Sequence, residues 1–82
     1  MSAEDLKEIA ERVRAAGVDC ESEYPGYLRM PGYNAGDAEG RFVVVGALDW
    51  DEWDLPGDPH CAPVVEDAVK LILEVVRNER MV

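Results

Sequence analysis

What this sequence lacks narrows its chemistry before any motif is sought. It has one histidine, His60, and two cysteines, Cys20 and Cys61, in 82 residues. His60 and Cys61 are neighbours, and adjacent side chains on a strand or helix diverge, so they form a poor base and nucleophile. With Asp58 they offer three ligand types for zinc, but the spacing matches no recognised site and a fourth ligand would have to come from afar. No metal and no cofactor is expected. Glycines 32, 36 and 40 are followed by no lysine at phosphate-cradling spacing, which argues against nucleotide binding. Asp49 with Glu52 or Asp54 can be placed at the separation of a glycosidase pair, yet so short a chain struggles to build the cleft that holds a sugar. The residues therefore read as those of a non-enzymatic protein.

Long apolar runs are missing too. None approaches the ~20 residues of a membrane span, and Met1 to Val13 is charged, with no signal-peptide core. A cytoplasmic protein is the expectation, with no membrane contact and with Cys20 and Cys61 as two reduced thiols rather than a disulfide. The hydrophobic content of 48% is that of a folded globule despite a net charge of -10, and the length suits a single domain spanning residues 1–82.

Positive charge is scarce, above all in the middle. Residues 19 to 58 hold ten of the eighteen acids against two of the eight bases, Arg29 and Arg41. The two ends are nearly balanced, with the mixed signs of ordinary solvated helices. A one-signed field over the middle repels nucleic acid and anionic membrane and attracts a basic protein surface. Salt adaptation or plain solubility also explains acidity, but salt adaptation should acidify the ends as well.

Within that middle, Asp49-Trp50-Asp51-Glu52-Trp53-Asp54 sets two tryptophans among four carboxylates. Tryptophan is enriched at binding hot spots, whereas acids resist burial unless paired. If the segment forms a helical turn, the tryptophans share a face rimmed by Asp51, Glu52 and Asp54; if it is extended, they point to opposite faces. Alternatively, one or both tryptophans close the edge of a thin core. The candidate partner-binding set is Asp49, Trp50, Asp51, Glu52, Trp53 and Asp54, with Glu21, Glu23, Asp37 and Glu39 extending the acidic surface.

The fold reads as α+β, in the order helix, two or three antiparallel strands, helix. Ser2 caps a first helix over residues 3 to 16, whose Leu6, Ile9, Ala10, Val13 and Ala16 recur on one side and which Gly17 ends. Val18 to Tyr24 alternates as an acidic edge strand. The run Arg41 to Leu48, with Phe42, Val43, Val44 and Val45, is the clearest strand, and Tyr27 to Met30 is its expected hairpin partner. Pro31 to Gly40 reads as a flexible turn with Tyr33 exposed, and Leu48 to Ala62 as a long ordered loop. A second helix begins near Pro63 and ends near Arg77 and Arg80. Phe42, Val44, Leu48, Ile9, Val13, Val69 and Ile72 are the expected core. The second helix is apolar over an arc of about 200°, more than a surface helix needs. That suggests a homodimer seam through Val64, Ala68, Leu71 and Val75.

Two functions follow. In the first, the chain is an acidic binding or inhibitor protein that occupies the basic, nucleic-acid-binding surface of another protein, its carboxylates standing where phosphates would. In size and charge it is similar to phage-encoded inhibitors of CRISPR effectors and to the immunity proteins of nuclease toxins. That resemblance assigns no residues. In the second, the chain is a small structural or regulatory module that pairs or docks through its second helix, and its acidity keeps the assembly soluble.

Overall fold

The computed structural model describes residues 2–23, 26–38, 41–46, 52–55 and 64–80, the side chains as far as residue 77. Helix α1 spans Ala3–Ala15. Its start is fixed by a reciprocal cap: the Ser2 hydroxyl accepts from the Asp5 amide at 3.2 Å, and the Asp5 carboxylate accepts from the Ser2 amide at 3.1 Å. Its end is closed by Gly17 at φ 95°, with the Gly17 amide donating to the Arg14 carbonyl and the Val18 amide to the Val13 carbonyl. Those two bonds define a Schellman motif, which requires the left-handed residue that glycine supplies.

Five strands follow: β1 (Glu21–Glu23), β2 (Tyr27–Met30), β3 (Tyr33–Ala38), β4 (Arg41–Gly46) and β5 (Glu52–Asp54). They form one antiparallel sheet in the order β1-β2-β3-β4-β5, each strand beside its neighbours in sequence. Helix α2 (Val65–Arg80) follows, so the domain is α+β and, among the described residues, has two helices and five strands where two or three strands were expected. The row Ser22, Leu28, Ala35, Val44, Trp53 runs across all five strands and faces one side. Leu28, Ala35, Phe42 and Val44 join Ile9, Val13, Ala68 and Ile72 in a single buried cluster, so both helices cover this side of the sheet. α1 packs on α2, β1 and β2, and α2 packs on β4.

Three expectations are corrected. The segment expected to be a flexible turn contains β3, and among its described residues only Pro31 and Gly32 turn. Gly32 at φ 85° behind a proline suits a type II turn. Asn34, Gly36 and Asp37 carry turn chemistry locally, but strands on both sides supply their ladder, and context overrides propensity. β4 accordingly pairs with β3 and β5, not with Tyr27 to Met30. Finally, Tyr33 is only 9% exposed. It stands opposite Gly46, whose missing side chain leaves a path over β4, and its ring meets Trp53 edge-on with centroids 6.3 Å apart.

The wide apolar arc of α2 finds most of its cover inside the domain. Ala68, Ile72, Val75 and Val76 are buried in the chain's own core, so Ala68 and Val75 are not free to form a dimer seam. Five strands and α1 provide the surface that three strands could not. Val69, Leu71 and Leu73 are half-buried against the core, and Val64 stands 59% exposed. Of the expected core, Leu48 lies outside the described residues, as does Pro63.

Candidate functional site

The side of the sheet turned away from the helices is covered by no described element. Because side chains alternate along a strand, the register determines what this side presents. One row reads Glu21, Arg29, Asn34, Val45, Glu52 and the next reads Glu23, Tyr27, Gly36, Val43, Asp54. Both edge strands are three residues long and carry a carboxylate at each end on this open face. The two acidic edges stand four strand spacings apart, roughly 19 Å. Between them Val43 and Val45 are only half-buried. The result is an apolar strip with a negative border on each side.

The borders are partly compensated. Tyr27 donates its hydroxyl to Glu23 Oε2 at 2.9 Å, and Arg29 lies 3.4 Å from Glu23 Oε1. The bond to the Glu23 carboxylate, reinforced by that group's charge, raises the Tyr27 phenol above its ordinary range. Arg41 lies 3.8 Å from Asp54. Glu21 and Glu52 are in no ion pair among the described residues. Both belong to the same row, so the uncompensated charge sits at one end of the face. Tyr27 lies against Gly36, where an added methyl carbon would stand 3.4 Å from the tyrosine Cβ.

A concavity of about 610 Å³ opens at that end. Glu21, Arg29 and Asn34, all exposed, line it and also belong to the open face. Its inner wall is built from Cys20, Met30 and Tyr33, which are buried. Burial pushes the Cys20 thiol up to about 11; nearby Arg14 opposes that rise and Glu21 adds to it. A thiol held so firmly protonated is not a nucleophile near neutral pH.

Of the acids singled out in the sequence, Glu21, Glu23, Glu52 and Asp54 share the open face. Asp37 pairs with Phe42 and thus lies on the other side of the sheet. Asp49, Trp50, Asp51 and Glu39 lie outside the described residues, as do Asp58, His60 and Cys61. Trp53 sits in a strand, the extended one of the two conformations expected, and faces the core half-buried, so it follows the alternative in which a tryptophan closes the edge of a thin core; the long loop expected over Leu48 to Ala62 contains β5. Sequence reasoning missed Val43 and Val45. The continuous apolar run of β4 was the available signal, but it reads equally as a strand covered on both sides. Among the described residues no group of three metal-ligating side chains comes together, and no helix is long and apolar enough to cross a membrane. The chain matches no protein-family model, and no curated protein or solved structure is detectably similar to it.

Proposed function

We propose that this chain is a non-enzymatic acidic binding protein whose open sheet face docks on a basic surface of another protein, of the kind that otherwise holds nucleic acid. The supporting observation is the pair of acidic edges flanking Val43 and Val45. The carboxylates of the two edges present the sign of charge that the phosphates of a duplex present, while the valine strip adds the apolar contact that charge alone lacks. Fixed carboxylates bring a smaller counterion atmosphere than a duplex does, so such a mimic competes for a basic groove without matching its full charge density. Inhibition of the partner is the natural consequence where that groove is its working surface.

The test begins with capture of a partner at low salt, followed by association kinetics. Val45→Lys places a cation in the middle of the strip and should abolish binding while the fold, followed by circular dichroism, persists. Parent affinity should fall steeply with added salt. Unchanged binding by Val45→Lys would remove the open face from the interaction.

A further inference from the structure

We infer that the outer edge of β5 receives an extended basic segment of the partner, which adds to the five-stranded sheet as a further strand with cationic and apolar residues in alternation. This rests on the docking proposed above and specifies how the partner's main chain is held. One hydrogen bond sets which groups the edge presents. The Leu55 amide donates to the Phe42 carbonyl at 3.1 Å, so these two residues form a directly bonded pair in the ladder between β4 and β5. Such pairs alternate along an antiparallel ladder. Trp53 and Val44 therefore form the next one, while Glu52 and Asp54 turn their amides and carbonyls away from β4. β5 is the last strand in the sheet order, and among the described residues nothing bonds to these outward groups.

The side chains of the edge select the occupant. On the helical side, Trp53 and Leu55 are packed against the core yet only half-buried. The helices lie chiefly over β1, β2 and β4, so this apolar ledge is incompletely covered at the end of the sheet. On the open side, Glu52 is in no ion pair among the described residues, and Asp54 has Arg41 at 3.8 Å. An added strand sets its own alternate residues beside both rows. Apolar residues next to Trp53 and Leu55 complete the edge of the core, and cations next to Glu52 and Asp54 meet opposite charge. A second copy of this chain is a poor occupant by the same rule, since β5 against β5 would bring Glu52 and Asp54 against their own counterparts. The carboxylates thus close the edge to like sheets and leave it open to a basic strand. β1 is the poorer edge, because Ser22 between its glutamates is exposed and supplies no apolar ledge. Main-chain bonds would give such a segment its affinity and the alternation its specificity.

The edge can be tested without the partner. The chain labelled with nitrogen-15 is titrated with an acetylated, amidated peptide that alternates lysine and valine, and with a peptide of the same composition whose lysines and valines stand in separate blocks. Saturable shifts are expected at the amides of Glu52, Trp53, Asp54 and Leu55 for the alternating peptide alone. Exchange of the Glu52 and Asp54 amide protons with solvent should slow by about tenfold, because the peptide supplies the acceptors they lack. Methylation of every second peptide amide should weaken binding by about tenfold in the frame that faces β5 and spare it in the other. On the chain itself, Glu52→Pro removes an outward amide that β4 does not use, so the fold should persist by circular dichroism while peptide binding is lost. Glu52→Gln should weaken binding only a few-fold. Equal binding of the two peptides, unchanged exchange, equal effects of methylation in both frames, or parent-like binding by Glu52→Pro would overturn the inference. If the peptide fails while Val45→Lys still abolishes partner binding, the edge falls and the open face stands. If the peptide binds as expected while Val45→Lys binds the partner normally, the edge stands and the open face falls.

Discussion

The two edge strands carry nearly the same sequence pattern and do different work with its middle residue. β1 reads Glu-Ser-Glu and β5 reads Glu-Trp-Asp. Their outer residues present matching carboxylates to the open face, and charged, very short edges also resist pairing with another sheet. The middle residues face the helices. There Ser22 is exposed beside α1, whereas Trp53 reaches inward to the Tyr33 ring. Identical chemistry on one face of a sheet therefore says nothing about the other face. Stability and recognition are carried by alternate residues of the same strand, and substitution can separate them.

The sharpest separation lies at the middle positions. Trp53→Ala should lower unfolding free energy by about 3 kcal/mol, the low end for a large aromatic because Trp53 is only half-buried, while Ser22→Ala should stay within about 0.5 kcal/mol. Urea denaturation measures both. Comparable losses at the two positions would break the comparison.

Next in size is a dependence on pH that belongs to the β1 side. Cys20, whose thiol burial raises from 9.0 to about 11, immediately precedes β1. The folded state holds that proton more tightly than the unfolded chain does. Its stabilising contribution is therefore complete below the unfolded value and is lost as pH rises from 9.0 through about 11. The Tyr27 shift acts in the same direction. Stability should fall through this window, and the fall should be shallower in Cys20→Ala. An equal slope in the two proteins would exclude the thiol as a source.

Substitutions at the outer positions should act on association rather than on stability. Glu21→Gln with Glu23→Gln, and Glu52→Gln with Asp54→Asn, should each slow partner association several-fold at low salt and flatten its salt dependence, with melting little changed. If one pair leaves the rate untouched, the two edges are not equivalent in docking. The smallest effect is expected at Gly36→Ala. The new methyl carbon would meet Tyr27 at an ordinary contact distance of 3.4 Å and would remove a flexible residue from a strand. A gain of about 0.5 kcal/mol is expected. A clear loss would show that Tyr27 cannot yield.

The sequence made those parts of the fold legible that depend on local chemistry. Ser2 and Gly17 delimited α1 because caps are local, and Phe42 to Val45 announced β4 because its composition has no good alternative. β3 was hidden because Asn34, Gly36 and Asp37 favour turns until β2 and β4 flank them. β5 was hidden because three residues between acids are too few to show a period. The acids of the candidate site were visible as charge, but only the register showed that Glu21, Glu23, Glu52 and Asp54 share a face and Asp37 does not. The apolar arc of α2 was legible, but how much of it the domain itself covers was not, since the number of strands available was undercounted.

The order in which the strands lie has a consequence for how the chain folds. Every strand pairs with its neighbour in sequence, so the sheet can be assembled as successive hairpins whose loops close at little entropic cost. The packing of α1 on α2 instead joins segments some sixty residues apart. The hairpin at Pro31 and Gly32 should therefore form early and the contact between the helices late. Substitutions at Ala35 or Leu28 should slow refolding, while Ile9→Val and Ile72→Val should mainly accelerate unfolding. In kinetic terms, the helical layer sets how long the folded state survives, and the sheet beneath it sets how quickly that state is reached.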